Sequence, residues 1–196
     1  MTACFKPIIK SNCSKNEQMF GSHIDIVNNY NKCYKETQEY YYQWYSEADN
    51  LKSAIKKAFC SENEAGKINN HQCRVGRERL VKAANIALQR LNHDKFNNFT
   101  EIYSFIKEVA QDVNGFGSLA TYDVAIRIAK YCQYEVNEVH FHAGTTKGAI
   151  AIGINAKEGE SMTVDKFPPP FHTLSGDHIK NLLCIYKDNL RRLSNI

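Results

Sequence analysis

Apolar side chains recur at helical spacing through most of this chain of 196 residues. The first stripe, in the N-terminal part, consists of Ile26, Tyr30, Tyr34, Tyr41 and Tyr45, at intervals of four and seven. Asp49 and Asn50 mark a break, after which helical patterns begin near residues 51, 76, 100, 118, 144 and 175. Only 136–142 alternates like a short strand. The sequence therefore predicts an all-α fold with six or seven helices and at most a trivial strand.

Composition limits the domain organisation. The chain is 43% hydrophobic and 23% charged, which is enough apolar content for a globular core and excludes collagenous, low-complexity and strongly disordered chains. A chain of this length leaves little room for two independent cores. We expect a flexible N-terminal arm at 1–15 and one helical domain at 16–196. Within that domain, 16–60 is a tyrosine-rich extension and 70–190 is the core.

Charge and cysteine content indicate the compartment and the partners. Lys and Arg number 25 and Asp and Glu 21, a net charge of +4 that permits nucleic-acid binding without requiring it. No apolar run approaches the roughly 20 residues of a membrane-spanning helix, so we expect no membrane association. The seven cysteines are odd in number and scattered, without a CxxC pair. This pattern predicts free thiols in the cytoplasm, no metal site and no cofactor.

The segment 113–118 carries the main functional hypothesis. Gly115 and Gly117 allow a sharp turn between two apolar helices, and Ser118 opens the second helix. Unpaired amides at a helix N-terminus attract phosphate, together with the helix dipole. Arg127 and Lys130 on the second helix, with Lys107 on the first, supply nearby positive charge. The pattern predicts a contact to the DNA backbone, which is salt-sensitive and independent of base sequence.

This segment resembles the helix-hairpin-helix element of DNA-binding proteins. The usual element has proline before the first glycine, where this chain has Asn114, and often a basic or small polar residue at the position of Leu119. The alternative is an ordinary tight connection whose glycines serve close packing. The element also resembles that of helix-hairpin-helix DNA glycosylases. Their catalytic lysine and aspartate do not carry over, because 113–121 lacks lysine and no aspartate lies between Asp123 and Asp165.

A second glycine-rich segment is a candidate anion site. It comprises Gly144, Thr145, Thr146 and Lys147, at the predicted start of a helix. A lysine in the first helical turn is electrostatically unfavourable unless an anion neutralises it. The order of residues does not match a P-loop. The neighbouring histidines, His140 and His142, are expected to serve the core or a helix cap rather than a metal.

A polar cluster at His71, Gln72, Cys73 and Arg74 precedes the third helix. Arg74 is a potential partner of Asp123, which lies among apolar residues. We favour a structural ion pair over a catalytic carboxylate. The enzymatic alternative, a DNA glycosylase, lyase or other hydrolase, uses a pocket near Asp123, His142 and Lys147.

The chain also resembles, over roughly 70–190, a family of bacterial hypothetical proteins. The motifs that carry the resemblance are His71-Gln72-Cys73-Arg74, Gly115-Phe116-Gly117, Tyr122-Asp123-Val124-Ala125-Ile126-Arg127-Ile128, His142-Ala143-Gly144-Thr145 and Leu183-Cys184-Ile185-Tyr186-Lys187-Asp188. The resemblance implies one domain rather than a particular activity.

Aromatic residues crowd the N-terminal extension at Tyr40, Tyr41, Tyr42, Trp44 and Tyr45. One helix cannot bury all of these directions, so we expect Tyr40 and Tyr42 to face water and the others to pack. A third hypothesis makes this arm a protein-interaction surface, with a homodimer as one outcome.

Overall fold

The computed structural model describes residues 4–5, 13, 19–92 and 94–194. The chain contacts divide it into two compact units. Of the described residues, the first unit contains 4–5, 39–92 and 94–135, and the second contains 13, 19–38 and 136–194. The predicted single domain over 16–196 stays a prediction, and most of the predicted arm at 1–15 lies outside the described residues.

Helices dominate both units, as predicted. The described helices are α1 His23–Tyr30, α2 Glu36–Ser46, α3 Leu51–Cys60, α4 Arg77–Arg90, α5 Phe99–Gln111, α6 Ser118–Tyr131, α7 Ala143–Ala151 and α8 Gly176–Leu193. A π-helical turn at Asn31–Lys35 lies directly between α1 and α2. If these three are counted as one continuous helical segment, the described residues contain seven helical segments. None of the helices in these described residues is long and apolar enough to cross a membrane.

The strands are few and short. In the first unit β1 (Cys4–Phe5) pairs in parallel with β2 (Ile68–Asn69). In the second unit β3 (Glu138–His140) pairs antiparallel with β4 (Ser161–Thr163). Together with the helix content, this confirms the predicted all-α fold with trivial strand content.

Capping side chains set several helix boundaries. Asn50 starts α3 by accepting a hydrogen bond from the Ser53 amide at 2.9 Å, which confirms the predicted break. Asn98 starts α5 in the same way, with the Glu101 amide at 2.9 Å from its Oδ1. The helix predicted to begin near residue 100 therefore begins at Phe99.

Buried apolar side chains pack between the helices within each unit. In the first unit α3 packs against α4 and α6, and α5 packs against α6 and α4. In the second unit α7 packs against α8, which also contacts α1 and β3. Gly176 donates its amide to the Val136 carbonyl at 2.6 Å, which joins the start of α8 to the segment before β3.

The cysteines correct one prediction. Cys13 and Cys33 form a disulfide with Cα atoms 5.8 Å apart, and Cys73 is also disulfide-bonded. Cys60, Cys132 and Cys184 are free. The prediction that all seven are free thiols is wrong, because the fold brings together cysteines that are distant in sequence. The cytoplasmic localisation stays a prediction.

Candidate nucleic-acid interface

The hairpin between α5 and α6 is anchored by its two large apolar residues. Val113 and Phe116 are buried, and the Phe116 amide donates to the Val113 carbonyl at 3.0 Å. The Phe116 ring lies against Phe59 of α3, with ring centroids 5.8 Å apart. Gly115 takes φ +83°, a conformation that favours glycine. The buried anchor thereby fixes the shape of the turn.

The outer corner of this hairpin is exposed. Asn114, Gly115, Gly117 and Ser118 all lie at the surface. Gly117 is the N-cap of α6, and it offers no side chain to the first amides of that helix. Since a helix N-terminus carries partial positive charge, these amides form a donor set suited to an oxyanion.

Arg79 of α4 supplies the cation nearest to this corner. Its Nη1 and Cδ lie 3.9 Å from the position of a Cβ built on Gly115. The same Nη1 donates to the Val75 carbonyl of its own segment at 3.2 Å, which holds the side chain in place. Nothing in the sequence marks Arg79 as part of this corner, because only the fold brings α4 beside the hairpin.

The acidic group at the start of the hairpin is neutralised. Asp112 follows α5 and forms an ion pair with Arg90 of α4. Arg90 also donates to the Glu108 carbonyl at 3.2 Å. The carboxylate nearest the turn in sequence therefore adds little net negative charge to the corner.

Arg127, predicted to contact DNA, is buried instead. Only 2% of it is exposed, and its guanidinium donates to the Ala58 carbonyl at 3.1 Å, to Ser61 Oγ at 2.7 Å and to Gln72 Oε1 at 3.0 Å. It also lies 5.3 Å from the centroid of the Tyr45 ring. The prediction is wrong at this residue, because the side chain is buried and its two Nη groups donate to acceptors inside the first unit.

The electrostatic surroundings keep Arg127 charged. Burial by itself lowers the pKa of Arg127, but Tyr41, Tyr45 and Asp123 raise it, and the net pKa lies above its ordinary value. Burial also raises the pKa of the Tyr45 hydroxyl well above its usual range. A buried guanidinium beside neutral phenols is thus a structural feature of this core.

Lys130, the other cation predicted on α6, lies away from the hairpin. It is half-buried and its Nζ is 4.9 Å from the centroid of the Tyr42 ring. It stands twelve residues after Ser118, roughly 18 Å along a helix. This distance excludes Lys130 from the hairpin corner. Tyr42, which was expected to face water, is buried, whereas Tyr40 is 70% exposed as expected.

Asp123 belongs to the Arg127 network. Its Oδ2 accepts a hydrogen bond from Gln72 Nε2 at 2.8 Å, and Gln72 Oε1 in turn accepts from Arg127. Arg74, the predicted partner, is exposed and Gln72 takes its place. The side-chain amide of Gln72 therefore lies between the Asp123 carboxylate and the Arg127 guanidinium, which is a structural arrangement. The catalytic role of Asp123 with His142 and Lys147 stays a prediction, since those two residues belong to the second unit.

The second glycine segment is built for packing. A Cβ on Gly144 would lie 2.6 Å from Cys184 Sγ, and one on Gly148 would overlap the Leu183 backbone. Thr145 is fully buried, and its Oγ1 lies 3.0 Å from His142 Nε2 and 3.4 Å from the Lys180 carbonyl. Thr146 is also buried, and only Lys147 is exposed. The predicted anion site is wrong at Thr145 and Thr146, because both side chains are buried, while Gly144 is half-buried against Cys184 of α8.

Neither a metal site nor a known relative accounts for these features. The described part of the chain holds no group of three or more side chains suited to binding a metal ion. Comparisons with known proteins found no matching family, no matching curated protein and no matching solved structure. The resemblances to bacterial hypothetical proteins and to helix-hairpin-helix glycosylases stay predictions.

Proposed function

We propose that this protein associates with DNA by contacting backbone phosphate through the 113–118 hairpin. The observation that carries the proposal is the exposed, uncapped start of α6 with the Arg79 guanidinium 3.9 Å from the Gly115 Cβ position. Amide donors, a helix dipole and a guanidinium then act on one anion. Each of these groups recognises phosphate, and none reads a base.

The mode of contact determines how binding depends on conditions. Phosphate contacts release counterions, so affinity falls steeply as salt concentration rises. Binding is also insensitive to base sequence, because sequence is read at base edges in the grooves. The neutralised Asp112 favours this contact, since a free carboxylate beside the turn would repel the strand.

The substitution Gly117→Asp tests the proposal without a folding penalty. Gly117 has φ −79°, and a Cβ there meets nothing within 4 Å, so a side chain fits. Aspartate is a preferred N-cap and is expected to stabilise α6 by a few tenths to about 1 kcal/mol. Its carboxylate would occupy the free amides and repel phosphate. We expect affinity for a mixed-sequence duplex at low salt to fall by at least about tenfold, measured by fluorescence anisotropy.

Gly117→Asn is the matched control. Asparagine caps a helix about as well as aspartate but carries no charge. The affinity of the Gly117→Asn variant for the duplex should therefore lie between those of the wild type and Gly117→Asp. Denaturant unfolding of all three proteins checks that stability does not explain the ranking. The proposal is overturned if the wild type does not bind duplex DNA at low salt, or if Gly117→Asp binds like the wild type.

A further inference from the structure

The outer face of α4 carries a further exposed cation beyond the hairpin. Residues 74–90 contain five basic side chains and a single acidic one, Glu78. Val81, Lys82 and Asn85 are exposed on this face and line a shallow groove with Ile86. Val81 is the exposed apolar residue there, 41% accessible. Arg77 and Glu78 also line this outer α4 face, and Lys82 stands on it beside the apolar Val81.

The face is continuous with the hairpin corner. Arg79 lies beside Gly115 and Lys82 stands three residues later, which makes the two neighbours on the helix surface. The helix has 14 residues and spans about 21 Å, a length comparable to several successive phosphates of one DNA strand. A strand seated on the hairpin can thus continue along α4.

The cations of α4 differ in their availability. Arg77 pairs with Glu62, and Arg90 pairs with Asp112. Lys82 is exposed, and no hydrogen bond or ion pair to another described residue holds it. Lys82 is consequently the cation of the groove that a ligand can engage without breaking an internal ion pair.

The composition of this face favours a phosphate backbone over a peptide. Protein interfaces depend on buried anchors such as Trp, Tyr, Phe or Met, and α4 has none of them. The same absence argues against single-stranded DNA, whose binding depends on aromatic side chains that stack on the bases. Phe116, the aromatic residue of the hairpin, is buried against Phe59 and cannot stack.

We infer that the ligand of this surface is double-stranded DNA, and that Lys82 on the outer α4 face is a second phosphate contact beside the hairpin. The inference rests on the proposed function of the hairpin. It adds the substrate class and a contact on a different element. Each phosphate contact contributes about 0.9 to the slope of log affinity against log salt.

Paired substitutions on α4 test the inference in the full-length protein. Lys82→Gln should weaken duplex binding roughly threefold to tenfold and lower the salt slope by about 0.9. Asn85→Lys adds a charge to the groove and should raise the slope by a similar amount. Lys157→Gln removes an exposed lysine of the second unit and should leave binding unchanged. The probes are a short mixed-sequence duplex, a single strand of equal length, and polyglutamate.

The outcomes separate this inference from the proposed function. If Gly117→Asp loses binding while Lys82→Gln and Asn85→Lys match the wild type, the hairpin stands and the α4 contact is overturned. If the α4 substitutions shift the slope while Gly117→Asp has no effect, the α4 contact stands and the hairpin fails. Tighter binding of the single strand overturns the duplex assignment. Binding of polyglutamate without binding of the duplex indicates an acidic protein partner and overturns both.

Discussion

At the scale of single residues, Arg127 shows how a buried charge is accommodated. Its Nη atoms donate to three neutral oxygens, one of them Gln72 Oε1. The amide nitrogen of Gln72 in turn donates to the half-buried Asp123 carboxylate. Neutral acceptors lower the cost of desolvating the guanidinium, while the bridged carboxylate adds long-range attraction. A residue of this kind contributes to the stability and specificity of the core rather than to a surface contact.

Replacing Arg127 by Met or Lys should therefore destabilise the fold. Neither side chain can satisfy Ser61, Gln72 and the Ala58 carbonyl together, so we expect a loss of about 2–4 kcal/mol in urea unfolding. Lys107→Met, at an exposed site of α5, should change stability by less than about 0.5 kcal/mol. The duplex affinity of the folded Arg127 variants should stay at the wild-type level. A stable Arg127 variant with weakened DNA binding would contradict the structural role.

At the scale of elements, glycines set how closely α7 and α8 approach. Gly144 faces a cysteine side chain, whereas Gly148 faces backbone at Leu183. A side chain such as that of Cys184 can move to make room for an added methyl group, whereas the Leu183 backbone within a helix cannot. The small residues around Gly144, predicted to form an anion site, lie in the contact between α7 and α8 of the second unit.

The two glycines should respond differently to alanine. Gly148→Ala has no room against the Leu183 backbone and should cost about 3 kcal/mol or more. Gly144→Ala should cost less. Its cost should be largely recovered by adding Cys184→Ala, because the Cβ would then face an atom at 3.6 Å. Thermal and urea unfolding of the single and double variants measure the coupling. Additive effects at positions 144 and 184 would show that the Cys184 sulfur does not limit this contact.

At the scale of the whole molecule, the disulfides bear on where the chain works. The Cys13–Cys33 bond spans 20 residues, a loop length for which the chain-entropy account gives roughly 3 kcal/mol of stabilisation. Such bonds persist in oxidising compartments and are rare in the cytosol. The predicted cytoplasmic localisation therefore calls for a direct measurement of the redox state.

Thiol labelling makes that measurement. In protein purified without reductant and then denatured, iodoacetamide should modify Cys60, Cys132 and Cys184 at once. Cys13, Cys33 and Cys73 should react only after reduction, as shown by peptide mass mapping. Denaturation matters as a control, because burial raises the pKa of the Cys60 and Cys132 thiols and slows their reaction in the native state. Immediate labelling of Cys13 and Cys33 would contradict the disulfide.

The sequence alone determined the helices and the turn between α5 and α6. Helical periodicity, the asparagine cap at Asn50 and the glycines around Phe116 act over a few residues, so each could be inferred from local chemistry. The exposed corner of the candidate site follows from the same local signals, since Gly115 and Gly117 have no side chain to cover it.

Only the tertiary structure decided which charged groups stand at that corner. Arg127 and Arg79 look alike in sequence, yet one is buried among Ala58, Ser61 and Gln72 and the other lies beside Gly115. The Cys13–Cys33 disulfide and the contact between Gly144 and Cys184 likewise join residues that are 20 or more positions apart in the chain. Contacts between distant segments arise from packing, and periodicity within one helix carries no information about the element that will lie against it.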